Sequence, residues 1–197
     1  MEALVNFLFE VGMLKRTPRT GYQFLGTGKE SVAEHSFRTA VIGYLLSRGE
    51  EGADPFRTTL LCLFHDLPEA RTGDHNYVNK RYVQVEEERA VKDLARNLPM
   101  GPELVGLVQE FNAGESPEAM LSRDADQLDL ILSLKEQQDL GNRYAKDWIE
   151  YAVKRLRTEP ARNMARQILD TDSTDWWFEK NADLWVNGPG NDPHGKK

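Results

Sequence analysis

Apolar residues along this chain recur at intervals of three and four, the spacing of a helix face, over most of its length. Leu4, Phe7, Leu8, Val11 and Leu14 form a first stripe. A stretch holding Pro18, Gly21, Gly26 and Gly28 interrupts the pattern and reads as a loop. Ser31, with Glu34 three residues later, has the form of a capping box. The helix it opens has Phe37, Val41, Tyr44 and Leu45 as its predicted apolar face and ends near Gly49. Asp54-Pro55 starts the next helix, with proline at the first helical position. That helix runs through Leu60, Leu61 and Phe64 to the pair His65-Asp66.

Pro68 and Gly73 then break regularity, and Asp74-His75 falls in a loop. A charged helix is predicted from about Val78 to Leu98, with Glu86-Glu87-Glu88 on a solvated face. Pro102 opens a short helix ending near Gly114, and Ser116-Pro117-Glu118 opens a long one to about Leu140, capped by Gly141-Asn142. Two more helices are predicted over 145–157 and 161–169. Trp176, Trp177, Phe178, Leu184 and Trp185 predict a final segment that packs back onto the body. There is no internal repeat, no low-complexity linker and no strand-like alternation. The expected architecture is an all-α, single-domain compact helical bundle over residues 1–187. A disordered tail over 188–197 follows, which removes His194 from the ligand candidates.

Composition narrows the setting. A chain of 197 residues can bury one sizeable core. The apolar stretches are too short to span a bilayer, and the N-terminus lacks the pattern of a signal peptide. Cys62 is the only cysteine, so no internal disulfide can form, and its place among leucines reads as packing. Together these favour the cytoplasm. A net charge of −7 weighs against a general grip on long nucleic acid. A small phosphorylated ligand needs only a local cationic cluster, and Lys15, Arg16, Arg19 and Lys29 supply one with no acid between them.

The chemistry centres on His65-Asp66. Imidazole and carboxylate are both metal-ligand types, and an apolar run is a costly place to leave either without a partner. Glu34-His35 and Asp124-Ala125-Asp126 have the same character at the start of two other segments. Two histidines and two aspartates from three helices could close around one divalent cation. On spacing alone Asp124, Asp126 and Asp129 compete for the last place. Glu34 reads as a cap or an orienting group. Glu69 follows His65 by four residues, so on a continuing helix it would share that face and could hold or deprotonate a water.

The order His35, His65-Asp66, Asp126 resembles the HD-domain metal-dependent phosphohydrolases. The segments Glu30-Ser31-Val32-Ala33-Glu34-His35-Ser36, His65-Asp66-Leu67-Pro68-Glu69-Ala70-Arg71-Thr72-Gly73-Asp74 and Ala125-Asp126-Gln127-Leu128 are closer still to the 5′-deoxynucleotidase branch. The likeness covers roughly residues 1–145, with helices over 145–187 beyond it. It implies removal of phosphate from (deoxy)nucleoside 5′-monophosphates. It implies His35, His65, Asp66 and Asp126 as ligands of one divalent ion, with Mn, Fe, Co, Ni, Zn and Mg all compatible. It further implies Glu69 and Asp74 around the attacking water and the sugar, and Arg16 as the phosphate-binding arginine, with Lys29 and Arg19 behind it. A homodimer is also implied, with the Trp176-Trp177 segment as the expected contact.

Some positions depart from the bacterial members. Thr17 stands where they carry a tryptophan, and Tyr22 is the nearby aromatic, so sugar discrimination is left open. His75 has no clear counterpart and reads as a surface loop residue. Ala70 stands where alarmone hydrolases, which split guanosine tetraphosphate, carry a second acid, which counts against that chemistry. A non-catalytic nucleotide- or metal-binding module is the remaining alternative.

Overall fold

In the computed structural model, which describes residues 1–178 and 184–188, the helices follow the sequence pattern closely. They are α1 (Glu2–Val11), α2 (Tyr22–Leu25), α3 (Val32–Arg48), α4 (Pro55–Phe64) and α5 (Glu69–Thr72). Then come α6 (Glu87–Ala95), α7 (Gly101–Ala113), α8 (Pro117–Asp139), α9 (Ala145–Val153), α10 (Glu159–Asp170) and α11 (Leu184–Asn187). Three-residue-per-turn segments cover Gly12–Lys15 and Asn79–Arg81. Among the described residues the extended pairing is limited to a bridge between Pro18 and Ser31.

The helix boundaries have local causes. Ser31 and Glu34 form both halves of the capping box at α3. Asp54, Ser116 and Thr158 each accept a backbone N–H at the start of α4, α8 and α10. Gly114, at a φ of 63°, ends α7 in the left-handed conformation. The helix predicted over 78–98 is shorter than its charge pattern suggests. Asn76 Oδ1 accepts from the Val78 and Asn79 amides and turns the chain there, so regular helix resumes only at Glu87.

α3, α4 and α8 form the centre. Ala40, Ile42 and Leu46 of α3 meet Cys62 of α4 and Leu121, Ala125, Leu128 and Ile131 of α8. α7 covers the other side of α4, with Leu61 against Leu104 and Leu107. α9 and α10 close over α8. A side chain on Gly43 would collide with Cys62 Sγ, so the glycine is what lets α3 lie close to α4. Cys62 is fully buried and burial pushes its thiol up to about 12, which makes it a packing residue.

The predicted apolar face of α3 is its outer face. Phe37, Val41, Tyr44 and Leu45 are 70%, 45%, 47% and 54% exposed. The buried face carries Ile42 and Leu46 among the smaller Val32, Ser36, Thr39, Ala40, Gly43 and Ser47, as well as His35. Close packing on α4 at Gly43 favours small residues on this side, so ranking positions by size chooses the wrong one. Leu8 of the first stripe is likewise exposed. At the C-terminal end, Trp177, Phe178 and Trp185 pack on one another, with ring centroids 5.0–5.9 Å apart. The Ser173 amide ties this region to Asp139 Oδ2 at 2.9 Å. Residues 189–197 of the expected tail, His194 among them, lie outside the described residues. Among the described residues no helix is long and apolar enough to cross a membrane.

Candidate functional site

α3 turns His35 inward near its start, the turn after α4 supplies His65 and Asp66, and α8 supplies Asp126. His35 Nε2 lies 3.2 Å from Asp126 Oδ1, 3.3 Å from His65 Nε2 and 3.6 Å from Asp66 Oδ2. His65 Nε2 lies 3.1 Å from Asp66 Oδ2. Both imidazoles are buried. The three carboxylate competitors on α8 have separate positions. Asp126 faces the histidines. Asp129 Oδ2 sits 2.5 Å from His35 Nδ1. Asp124 accepts from the Arg157 and Thr158 amides and the Thr158 hydroxyl at 2.7–2.9 Å, anchoring the start of α10.

The outer nitrogens of the two rings show what the cluster needs. His65 Nδ1 is 2.7 Å from the Cys62 carbonyl, which can only accept, so Nδ1 carries the proton. His35 Nδ1 donates to Asp129, whose other oxygen accepts from Arg38 Nε. In their neutral forms both rings therefore aim bare Nε2 lone pairs at one region, together with oxygens of Asp66 and Asp126. Four acceptors facing one another repel unless positive charge sits among them. Burial and Arg19 push the His35 imidazole down, but its hydrogen bonds to Asp126 and Asp129 outweigh them and hold it up at about 10. Burial would raise Asp66 and Asp126, yet the histidines and Arg19 hold Asp66 down at about 2 and Asp126 well below the carboxylate range. His35, His65 and Asp126 offer atoms within 4.8 Å of one another, a set that fits a divalent metal, and Asp66 Oδ2 stands beside it at 3.1 Å from His65 Nε2.

Glu69 does not reach this region by helix continuity. Pro68 has no amide to give the Phe64 carbonyl, so the helix stops and Leu67 takes up that carbonyl in a tight turn. The turn delivers Glu69 to the start of α5, where its Oε2 is buried without a hydrogen-bond partner among the described residues. Burial, and then the negative charges of Asp66 and Asp74, push this carboxyl up to about 9 against the pull of Arg19 and Lys80.

A cavity of about 530 Å³ opens beside the cluster. Its walls include His65, Asp66, Glu69, Asp74 and Asp126, and an aromatic set of Tyr22, Phe24, Tyr77, Trp148 and Tyr151. The Thr20 amide and hydroxyl donate to Asp74 Oδ2 at 2.5 and 2.9 Å, while Asp74 Oδ1 lies 3.9 Å from Arg19 Nη1. His75, expected at the surface, also lines the cavity, with Nε2–H donating to the Thr72 carbonyl at 3.0 Å.

The basic residues need a correction. Arg16 and Lys29 are exposed and stand apart from the cavity walls. The cation brought to the cluster is Arg19, whose Nη1 lies 3.4 Å from Asp66 Oδ2. The cause is the backbone. Val32 N–H donates to the Thr17 carbonyl and Arg19 N–H to the Glu30 carbonyl, so residues 17–19 run extended beside the start of α3. Side chains alternate along such a segment, which turns Pro18 out and Arg19 in. Arg38 and Thr20 were not singled out as site-forming by the sequence, and Asp129 was named only as a competitor of Asp126 for a ligand place, not as the partner of His35 Nδ1.

The model of the HD-domain family matches residues 11–168 of this chain. The chain is 36% identical over 146 residues to the 5′-deoxynucleotidase HDDC2 of Bos taurus, a match covering 71% of this chain and 70% of that one. It is 33% identical over 147 residues to the Homo sapiens protein of the same name, covering 72% and 71%. Among solved structures, a conserved hypothetical protein from Pyrococcus furiosus superposes with a TM-score of 0.73 at 29% identity, covering 85% of this chain and 99% of that one.

Proposed function

This chain belongs to the HD-domain family, and we propose that it is a metal-dependent phosphohydrolase that releases phosphate from nucleoside 5′-monophosphates, the deoxy forms above all. The observation that carries the proposal is the convergence of two imidazole nitrogens and two carboxylates at the wall of one cavity, beside Glu69, whose buried Oε2 has no hydrogen-bond partner among the described residues. His35, His65, Asp66 and Asp126 are the proposed holders of one divalent ion. Bound there, such an ion would polarise a phosphoryl oxygen and make a nearby water more acidic.

The chain's own residues account for the remaining tasks. Arg19 offers planar N–H donors to the phosphate oxygens, with Asp66 and Asp74 holding its guanidinium in place. Glu69 accepts the proton of a water as its oxygen bonds to phosphorus and hands it to O5′ as the bond between phosphorus and O5′ breaks, so the nucleoside leaves as its alcohol. Its carboxyl, raised by burial and by two neighbouring anions, becomes an effective base once positive charge offsets Asp66. Asp74, with Oδ2 fixed by Thr20, is the proposed contact for a sugar hydroxyl. Tyr22, Tyr77 and Trp148 give a base flat surfaces to stack on. The single buried Cys62 suits a reducing compartment, and a cytoplasmic location is part of the same reading. So is the homodimer implied by the family resemblance.

Phosphate release tests this directly. A panel of deoxy- and ribonucleoside monophosphates is assayed after chelation and again with added Mn²⁺, Co²⁺, Zn²⁺ or Mg²⁺. Release that appears only with metal supports the proposal. No release above the chelated blank leaves a binding module. Release from guanosine tetraphosphate alone replaces the substrate class.

A further inference from the structure

The two oxygens of Asp126 have different neighbours. Oδ1 faces His35 Nε2 at 3.2 Å. Oδ2 accepts from the side-chain amide of Gln127, the next residue on α8, at 2.9 Å. A carboxylate turns easily about its last bond, whose rotational wells are broad. The bond from Gln127 opposes that rotation and keeps Oδ1 turned towards the histidines. It does so without placing a charge on Asp126, whereas a lysine or arginine in direct contact would compete with a cation for the carboxylate.

An amide can serve in one orientation only. Its nitrogen donates and its oxygen accepts, so a half-turn would set the Gln127 carbonyl against Asp126 Oδ2, acceptor to acceptor. Arg155 removes the ambiguity. It lies just past α9, and its Nη1–H donates to Gln127 Oε1 at 3.1 Å. A guanidinium carries donors and no acceptor, so it can satisfy only the carbonyl end of the amide. Arg155 is in turn stacked on Tyr77, with Cζ 4.9 Å from the ring centroid. Tyr77 belongs to the segment between α5 and α6 that also carries Asp74. Tyr77, Arg155, Gln127 and Asp126 all line the cavity, so a line of contacts runs from its exposed rim to the cluster. We propose that Gln127 is a positioning residue for the metal site, holding Asp126 so that Oδ1 stays turned to the histidines, and that Arg155 acts through it by fixing the orientation of its amide. The proposal rests on the reading of His35, His65, Asp66 and Asp126 as holders of one ion. Asp129 orients His35 from the buried side of that set, and Gln127 orients Asp126 from the partly open side.

Affinity for Co²⁺, measured by competition with a chromophoric chelator, tests this without turnover. Gln127→Met keeps the length of the side chain and loses both amide bonds. It is expected to weaken Co²⁺ binding by about 10- to 100-fold. In chelator it should melt with the wild type, because a substitution at a partly open position away from the core changes stability little. Arg155→Met frees the amide to turn and is expected to weaken binding by about threefold, since it loosens Gln127 without removing it. Loss of a nearby cation would by itself strengthen Co²⁺ binding, so a weakening reads the amide and not the charge. Arg155→Lys returns a donor to the Gln127 carbonyl and should bind within about twofold of the wild type. The double variant of Gln127→Met with Arg155→Met should bind no more weakly than Gln127→Met alone, because Arg155 then has nothing to act through. Wild-type affinity in Gln127→Met overturns the proposal, and so does a loss of affinity that comes with an equal loss of the chelated fold. Losses that add in the double variant, or an Arg155→Met that binds as tightly as the wild type, overturn the role given to Arg155. A wild type that binds no Co²⁺ refutes the ion-holding reading itself, an outcome distinct from a wild type that binds and a Gln127→Met that matches it.

Discussion

Replacing Glu69 by glutamine keeps the shape of the side chain and removes its charge, and the two consequences have opposite signs. The carboxyl is raised from its ordinary 4.5 to about 9, by burial and then by Asp66 and Asp74. Between those values the folded, metal-free protein binds a proton at Glu69 that the unfolded chain releases. Stability therefore falls with rising pH across that window because of this group. At about pH 7.5 the interval used is about three units, which at 1.36 kcal/mol each caps the cost near 4 kcal/mol. Solvent at the open side of the cavity and small rearrangements reduce this to about 2 kcal/mol. Glu69→Gln pays no such cost, so in chelator it should melt about 5 °C above the wild type at that pH. Near pH 4.5 the two should converge.

His35 also contributes a falling slope, because its imidazole is raised from 6.5 to about 10, but it does so equally in both proteins. The difference between the two melting curves isolates Glu69. With metal restored, the same variant should bind the ion normally, because Glu69 is not one of the clustered donors, and should lose about 10²- to 10⁴-fold in turnover. Differential scanning fluorimetry across pH in chelator, metal analysis and phosphate release give the three readings. Parallel stability curves would refute the electrostatic account, and turnover near wild type would refute the role as base.

Asp126→Ala should abolish bound metal with the helical circular dichroism intact, whereas Asp124→Ala should cost about 3 kcal/mol in thermal or urea unfolding and keep the metal, because three partly buried hydrogen bonds to the start of α10 are lost. Asp129→Asn should weaken metal affinity about 10- to 100-fold in a competition titration, since it removes the anion that fixes the His35 tautomer while leaving every donor in place. Arg19→Ala should raise KM for a monophosphate at least tenfold, and Arg16→Ala should leave it unchanged within about twofold.

The helix starts were legible because each is a local event: a serine or aspartate accepting an amide two or three residues on, or a proline that needs no amide partner. The errors arise where distant contacts decide. The outer stripe of α3 looked like a core face because its residues are large, yet the helix lies so close to α4 at Gly43 that a side chain there would meet Cys62 Sγ, and the buried face is built mostly of small residues around Ile42 and Leu46. Arg16 and Arg19 are equivalent as charges, and only the pairing of residues 17–19 with 30–32 turns one of them in. Glu69 was expected by helical register and arrives by a turn that Pro68 imposes.

The choice among the α8 aspartates shows how far periodicity can go. At 100° per residue, Asp126 and Asp129 lie about 60° apart on α8 and Asp124 lies on the far side. Spacing alone leaves all three in competition; with α8 packed beside α3, the first two meet His35 and the third faces the start of α10. The imidazole lies between the first two. His35 has two nitrogens on opposite edges of one ring, and α8 meets both, Asp126 at Nε2 and Asp129 at Nδ1. Arg38, one turn along α3 from His35, donates its Nε–H to the other oxygen of Asp129 and so fixes the acceptor that faces Nδ1, which puts the proton of the neutral ring on Nδ1 and leaves Nε2 bare. The pairing of α3 with α8 thus sets the protonation of the ring as well as its position. A chain with the same four expected ligands but no anion at position 129 would keep the cluster and lose the control over which nitrogen faces the ion.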